Sequence, residues 1–442
     1  MRIAMVSEHA SPLALLGGPD AGGQNVYVDR LSRVLAGRGH RVTVYTRRDA
    51  PVSDLPERVP LAPGVTVEHV AAGPPQALAK DELLVHMREF GDRLAAAWTS
   101  EPPDAVHAHF WMSGLAALRG AAAAGEAGGG GSAGGRGPAA PPVVQTYHAL
   151  GTVKRRHQGA ADPSPPERLA AERYLGRSCA RVLATCSDEV AELAAMGVDP
   201  ARTEIVPCGV DTEHFRPGPP SGPGPGPGGG AGSAAGSAAG SASGSAAGPR
   251  LLAVGRLVPR KGFDTAVRAV AQLPGVRLDI AGGPEPERLA ADPEAVRLRR
   301  LAEECGAGDR VRLLGAVPYA RMPEVMRSAA LLVSTPVYEP FGIVPLEAMA
   351  CAVPVVATRV GGQRDTVADG ATGRLVPPGD PAALAGAVRE LLGDAGRLAA
   401  LGAAARRRVL EHFTWERVAD GAERTYARVA APAAPATAGV AR

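Results

Sequence analysis

Short runs of consecutive apolar residues alternate along this chain with longer stretches whose apolar positions recur every three or four residues. A continuous apolar run bounded by turn residues marks a strand buried on both faces, and the longer period is that of a helix with one buried stripe. Ile3–Val6 is the first such run, and it stops at Ser7-Glu8-His9. A loop carrying Gly17-Gly18 and Gly22-Gly23 follows, then an amphipathic helix from about Asn25 to Arg38, then Gly39 and a strand at Val42–Tyr45. That β-loop-α-β unit is the elementary piece of a parallel sheet. The same reading predicts strands at Val65–Val70, Ala105–Ala108, Val143–Thr146, Arg181–Thr185 and Glu204–Pro207.

The pattern starts afresh at Leu251–Val254, which runs into Gly255. A helix at Phe263–Gln272 leads to a strand at Arg277–Ala281, closed by Gly282-Gly283. Val311–Leu314, Leu331–Ser334, Pro354–Ala357 and Gly373–Val376 then alternate with helical stretches. The expected fold is α/β, with two doubly wound, Rossmann-like domains facing a cleft and ligands bound beyond the carboxyl ends of the strands. Two low-complexity tracts lack any apolar period: 120–140, expected as a flexible Gly/Ala insert, and 217–249, expected as a flexible linker. The linker separates an N-terminal domain over 1–216 from a C-terminal domain over 250–412, and as a coil it would span roughly 30 Å.

Composition narrows the function. The chain has 442 residues, 45% hydrophobic and 21% charged, enough for two or three buried cores. Aromatic residues are only 4%, which argues against a stacking platform for single-stranded nucleic acid. Forty-eight basic residues against 45 acidic give a net charge of +3, so no nucleic-acid partner is called for. The five cysteines are odd in number and include no CxxC pair, which disfavours a disulfide framework or a cysteine zinc site and suits a reducing cytoplasm. No export signal and no run of 18 apolar residues is seen, so at most a peripheral membrane contact is expected.

The most informative stretch is Tyr338-Glu339-Pro340-Phe341-Gly342-Ile343-Val344-Pro345-Leu346-Glu347. Pro345 suits the first turn of a helix, and the free amides ahead of a helix form an anion site. One carboxylate sits in the loop and the other inside the helix, so each can reach a different part of one ligand. Spacing alone does not separate such a pair from solvated glutamates.

Glu339 and Glu347, with Phe-Gly and Pro between them, resemble the E-x7-E motif of retaining glycosyltransferases of family 4, which have the GT-B fold. The resemblance extends over almost the whole chain. It includes Gly18-Pro19-Asp20-Ala21-Gly22-Gly23-Gln24-Asn25-Val26-Tyr27-Val28, Gly255-Arg256 with Lys261-Gly262, and Gly361-Gly362. It implies a nucleotide-diphospho-sugar donor, with a UDP-hexose or UDP-N-acetylhexosamine as the leading choice. Glu347 would bind the donor ribose and Glu339 the transferred sugar. Phe341, Gly342, Ile343 and Val344 would offer backbone amides, and Gly22 and Gly23 would let the backbone approach the ligand. Arg256 and Lys261 would grip the diphosphate, one as a bidentate fork and the other as a point charge. His148, just past a predicted strand, would face the transferred sugar, so the implied catalytic group is His148, Glu339, Arg256 and Lys261. Retention without an enzymic nucleophile implies a front-face reaction. No Asp-x-Asp motif is present, so neither a cofactor nor Mg²⁺ is expected to be required, and no metal ligands are assigned. His107 and His109 stand two apart without a third ligand, and His109 is read as lining the cleft.

The acceptor is expected to be a small, phosphorylated sugar or polyol, bound by His9, Asn25, Lys80, His109, Phe110, Lys154 and Arg168. In family members with such acceptors a threonine follows the cleft histidine and a tyrosine precedes the next helix; here those places hold Ala149 and Phe110. The loss of two hydroxyls is expected to alter which polyol is accepted. Two rivals remain open at this level: transfer to a lipid acceptor at a membrane surface, and a non-transferring epimerase or sensor of nucleotide-sugars. The fold class also implies that 413–430 forms a helix crossing back onto the N-terminal domain, ahead of a disordered tail over 431–442. A monomer or homodimer is expected.

Overall fold

The computed structural model describes residues 1–14, 22–128, 140–218 and 248–431. The chain divides into two units, Met1–Gly209 with Trp415–Arg442, and Val210–Thr414. The first begins with β1 (Arg2–Val6), α1 (Gly23–Gly37), β2 (Arg41–Arg47), β3 (Arg58–Ala62) and β4 (Val65–Val70). It continues through α2 (Met87–Ser100), β5 (Ala105–His109), α3 (Trp111–Gly128), β6 (Val143–Thr146) and α4 (Gly151–Gln158). Next come α5 (Arg168–Ser178), β7 (Arg181–Ala184), α6 (Ser187–Ala195) and β8 (Thr203–Ile205). The strands form one sheet in the order β3-β4-β2-β1-β5-β6-β7-β8. Every pairing is parallel except β3 against β4. β3 escapes the apolar-run reading because it is a half-exposed edge strand that tolerates Pro60.

The second unit holds β9 (Arg250–Val254), α7 (Phe263–Ala271), β10 (Arg277–Ala281), α8 (Pro293–Glu304), β11 (Val311–Gly315) and α9 (Met322–Arg327). It continues with β12 (Leu331–Ser334), α10 (Ile343–Ala350), β13 (Val355–Thr358), α11 (Gln363–Thr366), β14 (Gly373–Val376), α12 (Pro381–Leu392) and α13 (Ala395–His412). Its six strands are all parallel, in the order β11-β10-β9-β12-β13-β14, that of a dinucleotide-binding Rossmann sheet. The last helix, α14 (Trp415–Ala430), belongs to the first unit, where it packs on α1.

Two boundaries differ from the sequence expectation. Residues 210–216 belong to the second unit, because Val210 donates to the Phe413 carbonyl at 2.9 Å and Arg406 donates to the carbonyls of Thr212 and Phe215. The first part of the expected flexible insert is helix instead, since α3 continues to Gly128. Alanine has the strongest helix propensity, and Ala116, Ala117, Ala121 and Ala124 are buried on a helix that packs closely on α2. Residues 129–139 of that insert, residues 219–247 of the linker, loop residues 15–21 and tail residues 432–442 lie outside the described residues.

Candidate functional site

In the second unit the strand order reverses between β9 and β12, and a ligand crevice is expected beyond the carboxyl ends there. β9 runs into Gly255, the exposed Arg256 and a short turn at Pro259–Lys261. β12 runs into Thr335 and the loop ahead of α10. Lys261 Nζ donates to Glu339 Oε2 across the reversal, and the Arg260 guanidinium stands 3.6 Å from the same oxygen. Gly262 holds φ +65°, and a Cβ there would overlap the Thr335 carbonyl oxygen. Thr335 Oγ1 in turn donates to the Gly262 carbonyl at 2.8 Å. Only glycine lets the two loops close this tightly. Gly361 does the same beneath Glu339, whose carbonyl oxygen a Cβ at Gly361 would overlap.

Burial by itself would raise the Glu339 carboxyl, but Lys261, Arg260 and Arg256 outweigh it and hold it below the usual range. Burial is also the largest influence on Lys261 and lowers its ammonium despite the partner. Gly342, in a left-handed conformation, caps α10 without a side chain, so nothing from the cap occupies the amides that begin at Ile343 and Val344. Phe341 contributes backbone here, its ring being buried near Phe413. Glu347 lies one helical turn beyond Ile343. Among the described residues its half-buried carboxylate has no hydrogen bond or ion pair, and burial pushes it up to about 7.

In the first unit the reversal falls between β1 and β5. Gln24 Nε2 bridges it, donating to Ser7 Oγ at 3.1 Å and to the His109 carbonyl at 3.2 Å. Phe110 and His148 follow adjacent strands β5 and β6, and both have positive φ, +82° and +60°. The turn at Phe110 is tied down by its own N–H donating to the Thr146 carbonyl at 2.8 Å and by Gln145 Nε2 donating to the Phe110 carbonyl at 3.0 Å. Three predicted acceptor residues meet around the ring of a fourth, Phe110. The His9 ring meets it edge-on at 4.9 Å, Lys80 Nζ stands 5.5 Å from its centroid, and the Arg168 guanidinium stands 5.0 Å from it. Lys154 joins the group through Ser164, whose hydroxyl accepts from both Lys154 Nζ (2.9 Å) and Arg168 (3.1 Å).

Several predicted residues stand elsewhere than expected. His109 is fully buried rather than lining a surface, and its Nδ1 lies 3.1 Å from His148 Nε2, so it supports His148 from beneath. The Asn25 side chain is buried and engaged by its own chain, Nδ2 donating to the Ser11 carbonyl and Oδ1 accepting from Gly22 N–H. It shapes the start of α1, with Gly22 and Gly23 exposed beside it. Arg168 is also buried, with Nε on Glu172 at 2.7 Å, while Lys154 is paired with Asp162 at 2.7 Å. Those pairings fix both cations in place before any ligand enters. Burial, reinforced by His9, lowers His148 to about 3, so its imidazole is neutral at any ordinary pH.

Sequence reasoning passed over Glu8 and Ser113. Glu8 is 1% exposed, its Oε1 is 2.7 Å from His9 Nδ1, and its Oε2 accepts from the Ser113 hydroxyl. The only signal was the place of Glu8 just past a buried strand and before His9.

Comparisons with known proteins give the family and the fold. Residues 21–214 match the family described as Glycosyltransferase Family 4, and residues 245–408 match Glycosyl transferases group 1. The chain is 38% identical to the D-inositol 3-phosphate glycosyltransferase of Acidothermus cellulolyticus, over 95% of this chain and 88% of that one. It is 36% identical to the enzyme of the same name from Mycobacterium tuberculosis, over 97% and 83%. Among solved structures, sucrose-phosphate synthase from Thermosynechococcus elongatus superposes with a TM-score of 0.78, at 30% identity and covering 97% of this chain and 98% of that one. HepE of Anabaena, solved with UDP and glucose, is 18% identical with a TM-score of 0.68, covers 97% and 99%, and supports the fold alone.

Proposed function

Because the chain belongs to glycosyltransferase family 4 and has the GT-B fold, we propose that it transfers a hexosyl or N-acetylhexosaminyl group from a UDP-sugar, with retention, to a hydroxyl of a small phosphorylated polyol or sugar. The observation that carries this reading is the set of cations around Phe110 in the first unit, separate from the Lys261–Glu339 donor group of the second. In this reading Arg256, Lys261 and the amides that begin α10 neutralise the departing diphosphate, so no divalent ion is required. Glu339 accepts from hydroxyls of the transferred sugar. His148 keeps the catalytic role that the family resemblance implies, as a neutral group that brings no positive charge. The names of the relatives support an inositol phosphate as the first acceptor to try. Mass spectrometry of the purified chain with UDP-sugars and a panel of phosphorylated polyols and sugars tests the reading. Donor hydrolysis with no glycosylated product across the panel would overturn it.

Lys80 separates a phosphorylated acceptor from a neutral one. Loss of a charge-assisted hydrogen bond costs about 1.5–3 kcal/mol, so Lys80→Ala should lower kcat/KM roughly 10- to 150-fold for the phosphorylated acceptor. The dephosphorylated acceptor and donor hydrolysis should barely change. Equal losses for both acceptors would mean that Lys80 holds its loop rather than the phosphate.

Glu347 gives donor binding a pH dependence. Ribose hydroxyls donate best to an ionised carboxylate, and this one ionises only near pH 7. Binding therefore has to expel a proton below that pH, and the dissociation constant for UDP-sugar should rise by up to about tenfold per unit as pH falls from 7. The diphosphate diester of the nucleotide-sugar does not titrate in that range, so the slope belongs to the protein. Calorimetry between pH 5.5 and 8 should show it in the wild type and a flat profile in Glu347→Gln.

A further inference from the structure

We propose that Glu8 is a positioning residue for the acceptor: it holds the ring of His9 so that Nε2 is turned to an acceptor hydroxyl. This rests on reading the first unit's Phe110 cluster as the acceptor site. Glu8 stands two residues past the end of β1, at the reversal of strand order, and is 1% exposed. A carboxylate so buried is costly unless both oxygens are satisfied. Ser113, in the first turn of α3, donates to Oε2, and His9 Nδ1 lies 2.7 Å from Oε1. The backbone is held as well, Glu8 N–H donating to Ser113 Oγ at 3.0 Å and its carbonyl accepting from Arg47 N–H at 3.1 Å. Among the described residues His9 is its only ion-pair partner.

An ionised carboxylate can only accept, so the nitrogen it faces must carry the proton. With Nδ1 turned to Glu8 the ring presents Nε2 on its other side, and among the described residues that nitrogen makes no hydrogen bond. The ring also stands edge-on to Phe110, whose ring has Lys80 and Arg168 over it. One aromatic ring is thus bordered by two cations and one imidazole held by a carboxylate. That set matches a polyol phosphate, which carries an anion and hydroxyl donors on one small frame. A histidine without that partner would be free to flip its ring or turn away from the hydroxyl.

The experiment is a double-mutant cycle with inositol 3-phosphate as the acceptor, or with whichever phosphorylated acceptor of the panel is turned over. Glu8→Gln keeps the shape but removes the carboxylate's charge, weakening its hold on the ring. It should raise the acceptor KM about three- to tenfold, the range for one hydrogen bond, and leave the donor KM and the melting temperature unchanged. In a His9→Asn background the same substitution should change the acceptor KM less than about twofold, because its effect passes through His9. Equal effects in both backgrounds, or a lowered melting temperature with all kinetic constants affected, would show a structural role and overturn the inference. If Glu8→Gln does not fold, His9→Asn alone decides: an unchanged acceptor KM overturns it. A wild type that glycosylates no phosphorylated acceptor refutes the acceptor reading and this inference together, whereas an active wild type with an unaffected Glu8→Gln refutes only the inference.

Discussion

Lys261→Ala should lower kcat about 10²- to 10³-fold, the size seen when one preorganised donor to a developing anion is removed. The ammonium stands where the loops after β9 and β12 meet, bonded to Glu339 and with Arg260 and Arg256 close enough to act on it. Charge on the leaving diphosphate grows as the glycosidic bond breaks, so a fixed cation there stabilises the transition state more than bound donor. The loss should therefore fall on kcat more than on donor KM. Glu339 keeps Arg260 as a partner at 3.6 Å, which leaves the loop paired and the melting temperature nearly unchanged. Initial rates at saturating acceptor read this directly. A rise in KM with kcat intact would assign Lys261 to donor binding alone.

Ending the chain at Thr414 should unfold the first unit and abolish turnover. That truncation removes α14, in which Trp415, Val418, Ala419, Ala422 and Tyr426 are all buried. Trp415 packs edge-on to Tyr27 at 5.6 Å, and the Tyr426 hydroxyl is 2.6 Å from His107 Nδ1 inside the sheet. Polar contacts ring the apolar seam: Arg38 bonds Asp420 and Glu423 at 2.9 and 2.7 Å, and Thr425 donates to Glu204 at 3.0 Å. Each large buried side chain is worth about 2–5 kcal/mol, so losing several together exceeds the roughly 5–15 kcal/mol that holds a typical domain. Ending the chain at Ala431 keeps the helix and should be silent. Thermal melts and transfer assays on the two truncations check the contrast, and turnover by the shorter chain would refute it.

Most strands of both sheets were legible because parallel strands are buried on both faces and so read as unbroken apolar runs, as Ile3–Val6 and Leu251–Val254 do. The donor group was legible for a different reason. A close backbone approach admits only glycine at Gly262 and Gly361, and a positive φ favours it at Gly255 and Gly342, so the residues beside these short loops stand out by position.

The first unit's site was less legible, since its parts come from far apart in the chain. No spacing announces that Glu8 meets Ser113, or that His9, Lys80 and Arg168 converge on Phe110. The sequence by itself determined two parallel α/β units and the identity of most candidate groups, because periodicity and turn chemistry are local. Tertiary structure alone decided which groups are exposed and which are engaged. It buried His109 under His148, engaged Asn25 in its own loop, fixed Arg168 against Glu172 and gave Glu8 to His9. The physical reason is that burial and hydrogen-bond partners belong to pairs of residues brought together by the fold, and a one-dimensional pattern carries no record of which distant residue will be the partner.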